Sequence, residues 1–368
     1  MNTLNRALVL IRMLSPCVLL LHAATVFSAE PTPPPASRAE CVGRLQLELP
    51  GEVMVASYSF KRLEARILNG GGQPRYEFDD GESAGWSHVN YRSRMFISAR
   101  LSPEELEQIE KKFVASKSAY EKFLRKLGTT QARAMRVDTV ETDLAHVNAW
   151  RVDAGINVLL RLDRNMLLTT VEEGDKGLDE SRKSLMNLAK STSYRPLYTI
   201  PTGPGVCVPH AFIKDDGKLF RKVGMTYRLI AHPDITIYIE DSGAGVYESS
   251  YREENAKPKN VIDSDWAQRV GTTIPMWPLM HKRPITLVGR RGMASFVRFT
   301  SDDKSTDYGY MAVVRGDPNA ADDRPDVKLH VLRDQRKALA KGIKPLDEKT
   351  FLNMAESIAA SLRHRSTK

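Results

Sequence analysis

The stretch 205–217, GVCVPHAFIKDDG, decides how this chain is divided. It follows SYRPLYTIPTGPG at 193–205, whose three prolines and two glycines make it the clearest internal boundary. Its Cys207-Val208 repeats the Cys41-Val42 of 40–51, ECVGRLQLELPG. Further along, Leu178-Asp179-Glu180 recurs as Leu346-Asp347-Glu348, so the two matches are spaced by 166 and 168 residues. Each half then closes on basic residues, at Arg195-Pro196 and at Arg363-His364. The reading is an α+β chain of two domains with a related plan, each a mainly antiparallel sheet packed with helices, from a divergent duplication of one unit.

Working outward, residues 1–28 read as a signal peptide. Arg6 and Arg12 precede the apolar run CVLLLHAATVF, with Val26 and Ser28 at the positions a signal peptidase reads. The run is shorter than the ~20 residues a bilayer span needs, and no later segment could be an integral membrane span. The expected location is therefore the periplasm. Residues 29–39 form a Pro-rich tether, followed by an N-terminal domain at 40–198 and a C-terminal domain at 199–368. With 368 residues, the chain suits two cores of ordinary size.

Within 40–51, Leu45, Leu47 and Leu49 alternate with polar residues, as in a half-buried strand stopped by Pro50-Gly51. The segment 102–127 reads as a helix. Ser102 is its N-cap and Pro103 opens it, Leu106, Ile109, Phe113, Tyr120, Phe123 and Leu127 form one stripe, and Gly128 closes it. Shorter helices are expected at 179–191 and 347–364, and 205–217 is expected to begin the second domain as a strand.

The net charge of +9 falls to +7 once Arg6 and Arg12 are removed, and basic residues are scattered among acidic ones. Nucleic acid is a poor partner for such a surface. Cys41 and Cys207 remain after the signal is lost, an even pair in an oxidising compartment. A bridge between them and two separate buried thiols are both open.

No catalytic signature is present. DSGAG at 241–245 comes nearest to a nucleophile elbow but carries its serine in the wrong place. Cys207 and His210 lack further metal ligands at matched spacing, and a structural cysteine on a strand is the simpler reading. No cofactor or metal is expected. Candidate partner-binding residues are aromatic or acidic groups in polar surroundings: Trp86, Tyr91, Tyr247, Tyr251 and Arg252, with Asp302, Asp303, Asp307, Asp322 and Asp323 of two acidic loops. The acidic loops also read as ordinary solvated hairpin tips.

Three landmarks together, ECVGRLQLELPG at 40–51, GVCVPHAFIKDDG at 205–217 and RGDPNAADDRPDVKLHVL at 315–332 before a terminal helix, resemble the immunity proteins that protect bacteria from type VI secretion lipase effectors. Pro209-His210 departs from the acidic or glycine-containing turn expected there. The resemblance implies a periplasmic protein, monomeric when free, that performs no chemistry. It binds a cognate phospholipase effector in a two-domain pincer and blocks its lid or active-site entrance. A periplasmic hydrolase with an unfamiliar site and an envelope-associated lipid-binding module are the competing readings.

Overall fold

The computed structural model describes residues 37–69, 75–130, 135–152, 155–172, 177–217, 220–243, 257–270, 280–301, 303–317, 320 and 323–366. The signal peptide, and the tether as far as residue 36, lie outside them.

Alternating burial begins the fold where the sequence places it. Strands β1 (Arg38–Val42) and β2 (Leu45–Leu49) form a hairpin in which Cys41 faces Gln46, and Leu45, Leu47 and Leu49 are fully buried. At its turn Gly43 has φ 59°, and a Cβ there would collide with the Asp241 carboxylate, so only glycine fits. A second hairpin pairs β13 (Gly205–Val208) with β14 (Ala211–Lys214). The single strand expected at the start of 205–217 is thus two. Pro209 lacks an amide proton for a ladder and His210 takes φ 55°, which turns the chain back on itself.

Each hairpin takes its third strand from the other half. β12 (Thr192–Tyr194), the last strand before the boundary, pairs with β14; β21 (Arg363–His364), at the end of the chain, pairs with β2. The exchange is closed alike on both sides: Arg195 N donates to His210 O and Arg365 N to Arg44 O, both at 2.9 Å. The true counterpart of Arg195 is therefore Arg365, two residues beyond the Arg363 suggested by the sequence.

The main sheet repeats the same plan. In the first half the spatial order is β6 (His88–Tyr91), β7 (Ser93–Ile97), β11 (Asn165–Glu172), β10 (Gly155–Leu162), β9 (Val147–Val152), β8 (Val137–Thr139). In the second it is β15 (Arg221–Leu229), β16 (Ile235–Ser242), β20 (Asp326–Arg333), β19 (Thr306–Val314), β18 (Arg290–Thr300), β17 (Met280–Leu287). β6 and β15 then pair antiparallel, His88 against Gly224 and Tyr91 against Arg221, so one sheet crosses the boundary between the halves. β3 (Val53–Val55) adds to β15, and β4 (Tyr76–Glu77) pairs β5 (Ser83–Ala84). All these pairings are antiparallel and the described helices number six, which makes the chain α+β.

Helices cover both faces. After α1 (Phe60–Asn69), α2 (Pro103–Leu127) lies between β7 and β8 in sequence, and α4 (Pro258–Val270) lies between β16 and β17. The capping box of α2 is complete: Glu105 N donates to Ser102 Oγ, and Ser102 N donates to Glu105 Oε2. α3 (Gly177–Ser191) follows β11; α5 (Gln335–Ala340) and α6 (Glu348–Ser361) follow β20. Phe351 of α6 meets Phe296 and Tyr308, whereas Val261, Ile262 and Trp266 of α4 pack on Val297 and Met311. Neighbouring strand residues point to opposite faces, so α4 and α6 lie on opposite sides of the sheet. Directly paired residues share a face. Tracing them from Trp150, against which Phe113 of α2 packs, through Thr170, Phe96, His88, Glu240 and Lys328 to Val313 puts α2 and α4 on one and the same side.

Candidate functional site

The Cys/His pair of the sequence is structural. Cys41 and Cys207 form a disulfide across 166 residues, both fully buried, beside the paired backbone of Gly43 and Cys207. A bonded sulfur is no nucleophile. His210 lies with Nε2 3.2 Å from Ser57 Oγ. Burial, helped by the Arg195 charge, pushes its pKa down to about 4. It is held neutral in the interior. No cluster of histidine, cysteine or carboxylate among the described residues could hold a metal ion.

Around the disulfide lie two buried ion networks that sequence reasoning missed. Glu40 accepts from Arg195 Nη1 at 2.6 Å, from its neighbour Cys41 N at 2.9 Å and from Tyr198 N at 2.7 Å. On the other side Arg221 Nε donates to Asp241 at 2.6 Å, and Asp241 also accepts from Arg44 N. Arg44 Nη2 meets Asp215 at 2.8 Å. Local pattern carries no signal for these pairs, because Glu40 and Arg195 lie 155 residues apart and Arg44 and Asp241 lie 197 apart.

The predicted partner residues scatter. Tyr91 is buried, its hydroxyl on Asp215 at 3.2 Å, and burial raises its pKa strongly. Asp323 accepts from Arg221 Nη2 at 2.7 Å and Arg44 Nη1 at 3.1 Å; burial opposes its ionisation, but the two guanidiniums hold its carboxyl below the ordinary range. It serves the second network. Asp303 caps its own turn through Ser305, and Asp307 receives Gln335 N at 2.7 Å at the start of α5. Tyr247, Tyr251, Arg252, Asp302 and Asp322 lie outside the described residues.

Trp86 is the candidate that lies in a shared site. Its ring sits 6.2 Å from Tyr238 and 5.8 Å from His330, on the sheet face that carries α2 and α4. Around them Tyr238 Oη donates to Glu240 at 2.6 Å, His88 Nε2 is 3.7 Å from Glu240, and Lys328 Nζ donates to Asp265 at 3.1 Å. Burial pushes the Glu240 pKa up, but Lys328, Lys222 and His88 more than offset this and hold it below the ordinary value. This aromatic and charged strip, largely buried, runs between the two helices. Trp86, His88 and Lys328 form its accessible part, whereas Tyr238, Glu240, Asp265 and His330 are buried beneath them.

Comparison with known proteins places this architecture. The family model described as the Tle cognate immunity protein 4 C-terminal domain matches residues 199–367. None of the curated proteins matches the chain. Among solved structures, the apo form of TplEi, an immunity protein of the type VI secretion system from Pseudomonas aeruginosa, is similar at 16% identity and a TM-score of 0.54, over 90% of this chain and 98% of that one. The same protein complexed with an "L" peptide is similar at 15% identity and a TM-score of 0.51, over 89% and 98%. A chain in the crystal structure of a Tle4–Tli4 complex is similar at 15% identity and a TM-score of 0.54, over 90% and 98%. At these identities the solved structures speak for the fold, and the family match speaks for the second half. The carboxy-terminal half of this chain thus matches the Tle cognate immunity protein 4 C-terminal domain, and the fold is shared along nearly the whole length with solved immunity proteins of the type VI secretion system.

Proposed function

We propose that the protein is exported to the periplasm, loses its first 28 residues, and there binds and neutralises a cognate type VI secretion phospholipase. The observation that carries the reading is the family match over 199–367, joined to a fold shared with a protein solved in a Tle4–Tli4 complex. The site is consistent with inhibition by binding alone, because the one candidate nucleophile, Cys207, is spent in a disulfide. The two halves, 40–198 and 199–368, act as the arms of a pincer that closes off the lid or entrance of the lipase. What supports a grip is that α2 and α4 stand on one face of a continuous sheet, either side of the strip around Trp86. A sizeable preorganised surface of this kind suits tight inhibition, which needs about 1,200 Å² or more of total buried area.

The decisive experiment is co-purification with the lipase encoded beside this gene, followed by titration of its phospholipase activity. A stable complex and stoichiometric inhibition are expected, with no hydrolysis by the isolated protein. Absence of a complex would sink the reading. Mass spectrometry of the periplasmic protein should find Ala29 at the amino terminus; retention of residues 1–28 would contradict the cleaved signal.

A further inference from the structure

The Cys41–Cys207 bridge is enclosed, and the group that closes it in comes from the far end of the chain. Both cysteines have no exposed surface, and Phe212 and Ile200 pack with them as a small cluster of their own. Phe212 stands directly across the β13–β14 ladder from Cys207, so the two side chains share a face. Its ring lies against the bare backbone of Gly205, where a Cβ would come within 2.4 Å of it. Main chain closes the side of the first hairpin: Gly43 N donates to Cys207 O and Cys207 N to Gly43 O, each at 2.8 Å.

Arg365 holds this cover in place. Its guanidinium lies 4.9 Å over the Phe212 ring. The same group donates to three carbonyls of the segment that leads on from Ile200, to Pro201 O at 2.7 Å and to Gly203 O and Gly205 O at 2.8 Å. One buried cation thus pins both the ring and the 201–205 backbone. Arg365 takes its own position from the strand exchange, through its amide on Arg44 O directly after β21. From sulfur to chain end the contacts form one line: Cys207, Phe212, Arg365, β21.

Reduction of a disulfide begins when a thiolate reaches one of its sulfurs. A dithiol attacks one sulfur and displaces the other as a thiolate. Its second thiol then closes the reagent into a ring disulfide and frees the first cysteine, so two electrons and two protons pass to the pair. A sulfur with no exposed surface offers no such approach, and an opening must come first. We propose that Arg365 is the bolt of a redox lock: the bridge exchanges with thiols only while the chain end is undocked, and docking of Arg365 fixes it in the oxidised state. The opening that uncovers Cys207 lifts Phe212 and Arg365 while the main sheet stays paired. A chain whose end is not seated has a bridge that a dithiol can reduce, whereas a closed chain keeps it.

The test is reduction by dithiothreitol without denaturant, with new thiols alkylated and counted by mass. Arg365→Ala should lose its bridge at least about tenfold faster than the parent, since one bond to a charged group is worth about that factor. Ile109→Ala, which opens a cavity in the core under α2 and outside the bridge cluster, should stay within about twofold of the parent. In the unmodified protein the reduction rate should rise with urea much less steeply than global unfolding does, because a local opening exposes little surface. This last measurement needs no variant and decides the matter if Arg365→Ala fails to fold. Equal rates in Arg365→Ala and the parent, equal acceleration in Ile109→Ala and Arg365→Ala, or a urea slope matching global unfolding would each overturn the lock.

Discussion

Glu40 and Arg195 meet at 2.6 Å, 155 residues apart in sequence and both essentially without solvent. The pair ties the first hairpin to the segment that leaves the first half. Removing one partner of such a buried pair strands the other charge and costs about 3–5 kcal/mol. Glu40→Ala is expected to lose that much in urea unfolding, and replacing both residues with apolar ones of similar size should restore a good part. A loss below about 1 kcal/mol would show that the pair is replaceable by water.

The Cys41–Cys207 bridge closes a loop of 166 residues, for which chain entropy gives about 5 kcal/mol. Cys41→Ser with Cys207→Ser should lower stability by up to that amount and make the midpoint indifferent to reductant. The same midpoint in variant and oxidised parent would mean that the exchanged strands alone hold the halves together.

Arg365 donates to the carbonyls of Pro201 and Gly203 and, at 2.8 Å, to that of Gly205, all in the approach to the second hairpin. Arg365→Ala should cost about 3 kcal/mol, since bonds to a charged group are the stronger kind. Hydrogen exchange should speed up at 205–214 as well as at the chain end. Faster exchange confined to the last residues would argue against the coupling.

His210 sets an acid limit. Its folded pKa, about 4 against an ordinary 6.5, means that the unfolded chain takes up a proton first as pH falls. Stability contributed by the neutral ring is complete above pH 6.5 and lost progressively down to about pH 4. The loss is on the order of 3 kcal/mol. His210→Asn, which tolerates the positive φ, should flatten the melting temperature over this window. An unaltered pH slope would assign the acid sensitivity to other groups, such as His88 and His364, whose pKa values burial also lowers.

Much of this was legible in the residues. The α2 helix announces itself through Ser102, Pro103 and Gly128, and β2 through the alternation at Leu45, Leu47 and Leu49, because caps and periodicity are local. The hairpin that β2 makes with β1 reads, from the residues alone, as one strand. The repeat of Cys-Val and Leu-Asp-Glu pointed to two halves of one plan. The strand exchange was not legible: β12 and β21 are three and two residues long, too short to carry a pattern, and their partners lie in the opposite half. Tyr91 and Asp323 looked like surface anchors since composition cannot tell a solvated acid or ring from one held by Arg221 or Asp215. Cys207 and His210 read as part of a strand rather than as chemistry, but that the His210 backbone makes a hairpin turn was not legible.

The exchanged strands also set an order of events in time. A chain made from its amino terminus presents β1 and β2 early, yet their third strand, Arg363–His364, appears only more than 300 residues later. No fragment that stops short of residue 363 can therefore finish its first sheet, and closure joins residues more than 300 positions apart, the kind of distant pairing that slows folding. A copy terminated before residue 363 is left with the sheet at its amino-terminal side unfinished.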